Sequence, residues 1–165
     1  MKIAITGSPR SGKTTLVKKI LQHTHAVGFY TEEIRRNGRR YGFNIITTWG
    51  EKLPLARVGN LSPFKVGKYA VFPENLDTVI ENLHNIRESD NIIIDEIGKM
   101  ELLNINFARW VKDLWRNHKG NIIVTIPIKD VHPIVANIRK TADYLLNLDK
   151  EKVQPEELFK LINNY

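Results

Sequence analysis

The chain of 165 residues contains no cysteine, which excludes disulfides and thiolate metal sites. It also has no apolar run approaching the roughly 20 residues needed to span a bilayer. No polybasic stretch exceeds a few residues, so the formal net charge of +7 is dispersed. Dispersed positive charge suits solubility and the attraction of a polyphosphate, with nucleic acid the less favoured partner. No internal repeat, low-complexity tract or linker breaks the sequence. It reads as one domain over residues 1–165, long enough for a proper core. Met1 opens directly onto a strand, so no secretory signal is expected and the expected location is cytoplasmic. An apolar fraction of 42% and a charged fraction of 26% are ordinary for a soluble globular protein.

What is present is concentrated in the first seventeen residues. The apolar run Ile3-Ala4-Ile5 leads into Gly7-Ser8-Pro9-Arg10-Ser11-Gly12-Lys13-Thr14-Thr15, after which Leu16, Val17, Ile20 and Leu21 recur at helical spacing. This is G-x-x-x-x-G-K-[ST] with a strand before it and a helix after it, the phosphate-binding P-loop context. Gly7 and Gly12 permit a backbone that side chains would obstruct. Successive N–H groups can then turn inward around phosphate oxygens, at the positive end of the helix that begins near Lys13. Lys13 would reach the β- and γ-phosphates, the Thr14 hydroxyl would ligate Mg²⁺, and Thr15 would bond the α-phosphate.

Further along, Val27 to Ile34 and Tyr41 to Thr48 read as two strands joined through Asn37-Gly38, a strong hairpin signal. Arg35, Arg36, Arg39 and Arg40 crowd that turn, either as a solvated tip that resists edge pairing or as a clamp on phosphates or a partner. Residues 53–58 read as extended, 59–68 as a loop, and 68–72 as a short strand. Residues 74–87 carry Leu76, Val79, Ile80, Leu83 and Ile86 at helical spacing. The same spacing predicts a helix over 105–117, where Phe107, Trp110 and Trp115 read as packing groups. Residues 121–126 and 144–148 read as strands, Val135 to Arg139 as a short helix, and 155–163 as a closing helix.

The run Ile92-Ile93-Ile94 has the continuous apolar character of a parallel strand covered on both faces. It ends in Asp95-Glu96. Next to a P-loop, an acid at a strand end is placed to hold Mg²⁺, which assigns Asp95. The following carboxylate, Glu96, is the candidate general base for the attacking water. Strands alternate with helices over most of the chain. The expected fold is α/β, a mostly parallel sheet with helices on both faces and an antiparallel hairpin inserted after the first helix. Ligands in such sheets bind beyond the carboxyl ends of the strands, where Gly7 to Thr15, Asp95-Glu96 and Thr125 all fall.

In this order of segments the chain resembles the small nucleoside-triphosphatases of the thermophile and cancer-related type, which have a RecA-like P-loop fold. The resemblance rests on the P-loop, on Gly28-Phe29-Tyr30-Thr31-Glu32-Glu33-Ile34-Arg35, and on Gly38-Arg39-Arg40-Tyr41-Gly42-Phe43. It also rests on Asp95-Glu96-Ile97-Gly98-Lys99-Met100-Glu101-Leu102 and on His132-Pro133-Ile134-Val135 with Ile138-Arg139. It implies Mg²⁺-dependent hydrolysis of nucleoside 5′-triphosphates to diphosphate and phosphate with broad base choice. Lys13, Thr14, Asp95 and Glu96 keep the roles derived above.

The chain departs from that family in being short after residue 148, in lacking an asparagine-arginine element before the last helix, and at Leu61-Ser62-Pro63-Phe64. An arginine commonly supplies transition-state charge in P-loop enzymes; Arg139 is the first candidate, followed by Arg35 and Arg10. Two rival activities fit the same motifs. One is a P-loop kinase acting on a nucleoside or another small hydroxyl compound, against which stands the lack of an arginine-rich lid. The other is an RNA- or DNA-stimulated ATPase, and a single nucleotide lobe argues against a processive motor. A monomer is the expected state.

Overall fold

In the first strand, alternating side chains establish two layers. Ile3 and Ile5 pack into one buried cluster while Ala4 between them belongs to the other, as the two-residue period of a strand requires. The computed structural model describes residues 1–163; the last two residues of the expected 1–165 domain lie outside the described residues.

The elements in chain order are β1 (Lys2–Thr6), α1 (Lys13–His23), β2 (Val27–Arg36), β3 (Arg39–Thr47), β4 (Lys52–Val58), β5 (Phe64–Val66), β6 (Tyr69–Val71), α2 (Glu74–Asn82), β7 (Ile92–Ile94), α3 (Ile105–Asn117), β8 (Ile122–Ile126), α4 (Pro133–Thr141), β9 (Tyr144–Asn147) and α5 (Pro155–Asn163). The strands form one sheet in the order β5-β6-β4-β3-β2-β7-β8-β1-β9. The sheet is mixed. From β2 through β7, β8 and β1 to β9 every pairing is parallel. From β2 through β3, β4 and β6 to β5 every pairing is antiparallel.

Helices cover both faces, as the alternation of elements implies. Leu16, Val17 and Ile20 of α1 and Leu158 and Ile162 of α5 meet Ile3, Ile5, Ile93 and Ile123 on one face. Leu76 and Val79 of α2, Phe107, Val111 and Trp115 of α3, and Val135 and Ile138 of α4 meet Ala4, Ile92, Ile94, Ile122 and Val124 on the other. Each isoleucine removed from water in this way contributes about 1.5–3 kcal/mol. In α3 the start is fixed by Asn104, whose side chain accepts from the Phe107 amide at 2.9 Å, an N-cap worth about 1 kcal/mol. No helix of the described residues is long and apolar enough to cross a membrane.

The antiparallel part is larger than one hairpin. Asn37 and Gly38 both have positive φ, which makes the turn expected of Asn-Gly, but the return strand goes on to pair with β4, and β4 with β6. Phe64–Val66, read as loop, is a strand because it pairs with Tyr69–Val71 across Gly67. The helix over 74–87 stops at Asn82, since Leu83 turns out of helical geometry with φ −99° and ψ 6°. Leu83 is nonetheless buried and Ile86 packs on the core, so the periodicity reported burial beyond the helix. Conversely, the helix around Val135 is longer than read, beginning at Pro133 in the first-turn position proline favours.

β7, β8 and β1 are neighbours, so the loops after their carboxyl ends open side by side. These are the P-loop, Asp95-Glu96 and the segment after Ile126. The topology itself assembles the site from three separate stretches of sequence.

Candidate active site

The P-loop turns on Gly12, which stands at φ 98°, ψ 17° immediately before α1, a left-handed conformation that suits glycine. Arg10 at the loop tip is exposed and also has positive φ, 70°. At Gly7 the issue is space: a Cβ there would come within 2.4 Å of Ser11 Oγ. Ser11 Oγ is buried and has no hydrogen-bond partner among the described residues. A buried hydroxyl without a partner is a donor left available for an anion. Pro9 and Thr15 are exposed on the outer side of the loop, and Ser8, Lys13 and Thr14 are half-buried.

The loop is braced from the far end of the chain. Asp149, just past β9, accepts from both the Ser8 amide and the Ser8 hydroxyl at 2.8 Å. Its own amide donates to Asn147 Oδ1 at 3.0 Å, and the Leu148 amide bonds Thr6 O at 2.9 Å. Asp149 is invisible to motif reasoning because its partner lies 141 residues away.

Asp95 is 1% exposed and tied on both carboxylate oxygens. The Thr14 hydroxyl donates to Oδ2 at 2.8 Å, and the Thr125 hydroxyl donates to Oδ1 at 2.6 Å. Burial pushes the Asp95 pKa up, while the bonds from Thr125 and Thr14 pull it down. Thr125 is the second functional group that sequence reasoning did not assign; its only signal is a polar side chain near the carboxyl end of a buried strand. Thr14 and Asp95 converge as hard oxygen donors, a set suited to Mg²⁺. Among the described residues no cluster of three or more His, Asp or Glu side chains forms a metal cage.

Lys13 Nζ donates to Gly7 O at 2.8 Å and lies 3.6 Å from Glu96 Oε2. P-loop lysine and candidate base therefore face each other. Glu96 is pushed up in pKa by burial, with the Lys13 charge opposing and Asp95 adding to the rise. The peptide bond between Asp95 and Glu96 is cis.

The three arginine candidates fall in different places. Arg139, on α4, lies against the start of the P-loop. Its Nη1 donates to Thr6 Oγ1 at 3.4 Å, Nη2 bonds Pro127 O, and Nε pairs with Asp130 at 2.9 Å. Arg35 is turned back on its own hairpin, pairing with Glu33 at 3.1 Å and bonding Gly38 O at 3.2 Å. Arg40 meets the same Glu33 oxygen at 3.1 Å, and the Arg36 guanidinium lies 3.9 Å from the Tyr41 ring centroid. A cavity of about 840 Å³ near the carboxyl end of α1, lined by His23, Tyr30, Ile46 and Trp49 among others, contains none of the candidate site residues.

Comparison with known proteins identifies the family and the fold. The sequence model of the family described as NTPase matches residues 2–159. The nucleoside-triphosphatase THEP1 of Aquifex aeolicus is 44% identical over 151 residues, covering 85% of each chain. That of Thermotoga petrophila is 43% identical over 167 residues, covering 98% of this chain and 90% of the relative. The crystal structure of THEP1 from the hyperthermophile Aquifex aeolicus superimposes with a TM-score of 0.87 at 39% identity, covering 98% of this chain and 99% of the other.

Proposed function

The chain belongs to the NTPase family and is a nucleoside-triphosphatase, and from that premise we propose that it cleaves the β–γ phosphoanhydride of nucleoside 5′-triphosphates with Mg²⁺, releasing diphosphate and phosphate with broad choice of base. The observation that carries this reading is the convergence of Lys13, Thr14, Asp95 and Glu96 from two loops onto one spot.

In the proposed reaction the polyphosphate lies in the loop of Gly7 to Thr15, held by backbone amides, by Ser11 Oγ and by the positive end of α1. Lys13 exchanges Gly7 O and Glu96 for β- and γ-phosphate oxygens. Thr14 and Asp95 would hold Mg²⁺, with Thr125 fixing the Asp95 carboxylate; the ion would supply positive charge to offset that of the phosphate oxygens. Glu96, released from Lys13, orients a water and takes its proton as the water oxygen bonds the γ-phosphorus and the bridging oxygen departs with the diphosphate. Arg139 supplies further positive charge by leaving Asp130, which is what its position beside Thr6 supports. The proposed setting is a monomer in the cytoplasm.

The test is phosphate release from each common nucleoside triphosphate with Mg²⁺ and no acceptor, run on wild type, Lys13→Ala and Glu96→Gln with nucleotide binding measured in parallel. Release that Glu96→Gln abolishes while nucleotide still binds is the expected result. Tight binding without release in the wild type would overturn the reading.

A further inference from the structure

Glu101 is a buried acid that the reaction above does not use. It sits in a single 3-10 turn, Glu101–Leu103, between β7 and α3, and is 5% exposed. Its Oε1 accepts from the Gly98 amide at 3.2 Å, while Gly98 O accepts from the Leu102 amide at 3.0 Å. By spacing this is a capping arrangement, with a glutamate reaching back three residues to a free amide. Capping accounts for the hydrogen bond. It does not account for where the carboxyl sits, because capping glutamates do their work at the surface as ions.

Gly98 connects Glu101 to the candidate base. A Cβ on Gly98 would lie 2.7 Å from Glu96 Oε1 and 3.2 Å from Glu101 Oε1. Both carboxyl groups therefore press on the same bare Cα, from the chain before it and the chain after it. The Glu96 carboxylate rests where a side chain would otherwise be, and Glu101 holds the amide of that same residue.

We infer that Glu101 is a positioning residue for Glu96: by bonding the Gly98 amide it holds the glycine against which the Glu96 carboxylate rests, and so fixes the base relative to Lys13 and the attacking water. The inference rests on the reading of Glu96 as the base. The electrostatics agree with it. Burial first, and then the Glu96 charge, raise the Glu101 pKa well above the ordinary carboxyl value.

Steady-state phosphate release, nucleotide affinity and thermal unfolding of Gly98→Ala, Glu101→Leu, Glu101→Gln and Glu96→Gln test this. The three atoms nearest the methyl of Gly98→Ala belong to the carboxyl ends of Glu96 and Glu101, so the base is what it displaces first. The expected result is a fall in kcat of up to about a hundredfold for Gly98→Ala and Glu101→Leu. KM and nucleotide affinity should stay within about twofold of wild type, the signature of an interaction lost only in the transition state. Glu101→Gln keeps a carbonyl to accept the Gly98 N–H and should restore kcat.

A purely capping role would lower the unfolding temperature of Glu101→Leu and leave its kcat unchanged, and that result would overturn the inference. A Glu101→Gln protein as slow as Glu101→Leu would also overturn it. If Glu96→Gln itself retains wild-type turnover, it is the identity of the base that fails.

Discussion

The two sides of β2 handle charge in opposite ways. On the parallel side, between two helical layers, Asp95, Thr125 and Glu101 are all but removed from solvent, and each is tied to a named partner. On the antiparallel side the charged groups are half-buried or exposed. Arg35 and Arg40 share Glu33, Arg36 lies on Tyr41, and Phe64 of the edge strand is 47% exposed. Polar groups out of water must be satisfied or they cost several kcal/mol, and where they are satisfied they are held still. Exposed pairs are worth little and hold nothing rigidly. The chemistry therefore belongs to the side where polar atoms are few and fixed.

Substitutions can break this contrast or sharpen it. The largest effect is expected at the base: Glu96→Gln should lower kcat by about 10²–10⁴ with nucleotide binding kept, whereas Arg35→Ala should leave turnover within a fewfold. Equal losses in the two would erase the distinction between the sides. In stability the contrast runs through the isoleucines. Ile93→Ala leaves a cavity between β7 and α1 and should cost about 2–5 kcal/mol, against about 0.5 kcal/mol or less for Phe64→Ala, both read from denaturant unfolding.

Thr125→Val keeps the shape but removes a donor from a buried carboxylate. It should cost about 1–3 kcal/mol and raise the Mg²⁺ concentration at which the proposed hydrolysis is half-maximal. A smaller effect is expected from pH. The folded pKa of Glu101 lies above its unfolded value, so its contribution to stability is full below the unfolded pKa and is lost as pH rises toward the folded one. Glu101→Gln removes that loss, so its unfolding temperature should gain on wild type between pH 5 and pH 8. A constant difference across that range would count against a neutral buried Glu101. The smallest effect is at the hairpin, where Arg36→Ala gives up a stack on Tyr41 worth about 0.5–1 kcal/mol.

How far the sequence could be read follows the same division. The P-loop was legible because its residues are contiguous and each has a stated geometric or chemical reason. Asp95 and Glu96 were legible because a strand buried on both faces announces itself as Ile92-Ile93-Ile94. Thr125 was placed at a strand end without a role and Asp149 was missed, since their partners lie 30 and 141 residues away and only the order of strands brings them together. Glu101 sat inside a quoted segment, yet nothing local distinguishes a buried acid from an exposed one three residues after a glycine. On the antiparallel side, Phe64-Lys65-Val66 is too short to show a period, and its strand exists only through Tyr69–Val71. Leu83 and Ile86 kept helical spacing after the helix had ended, because the core collects side chains from a turn as readily as from a helix.

The brace between Asp149 and Ser8 has a consequence in time. A chain leaves the ribosome at about 5–20 residues per second, and Ser8 is made 141 residues before Asp149. Yet β1 lies between β8 and β9, and the carboxylate that grips Ser8 comes after both. For the seconds it takes to reach residue 149, the nascent protein carries a complete nucleotide-binding motif with no completed frame around it. The motif is therefore made well before the strands and the carboxylate that frame it.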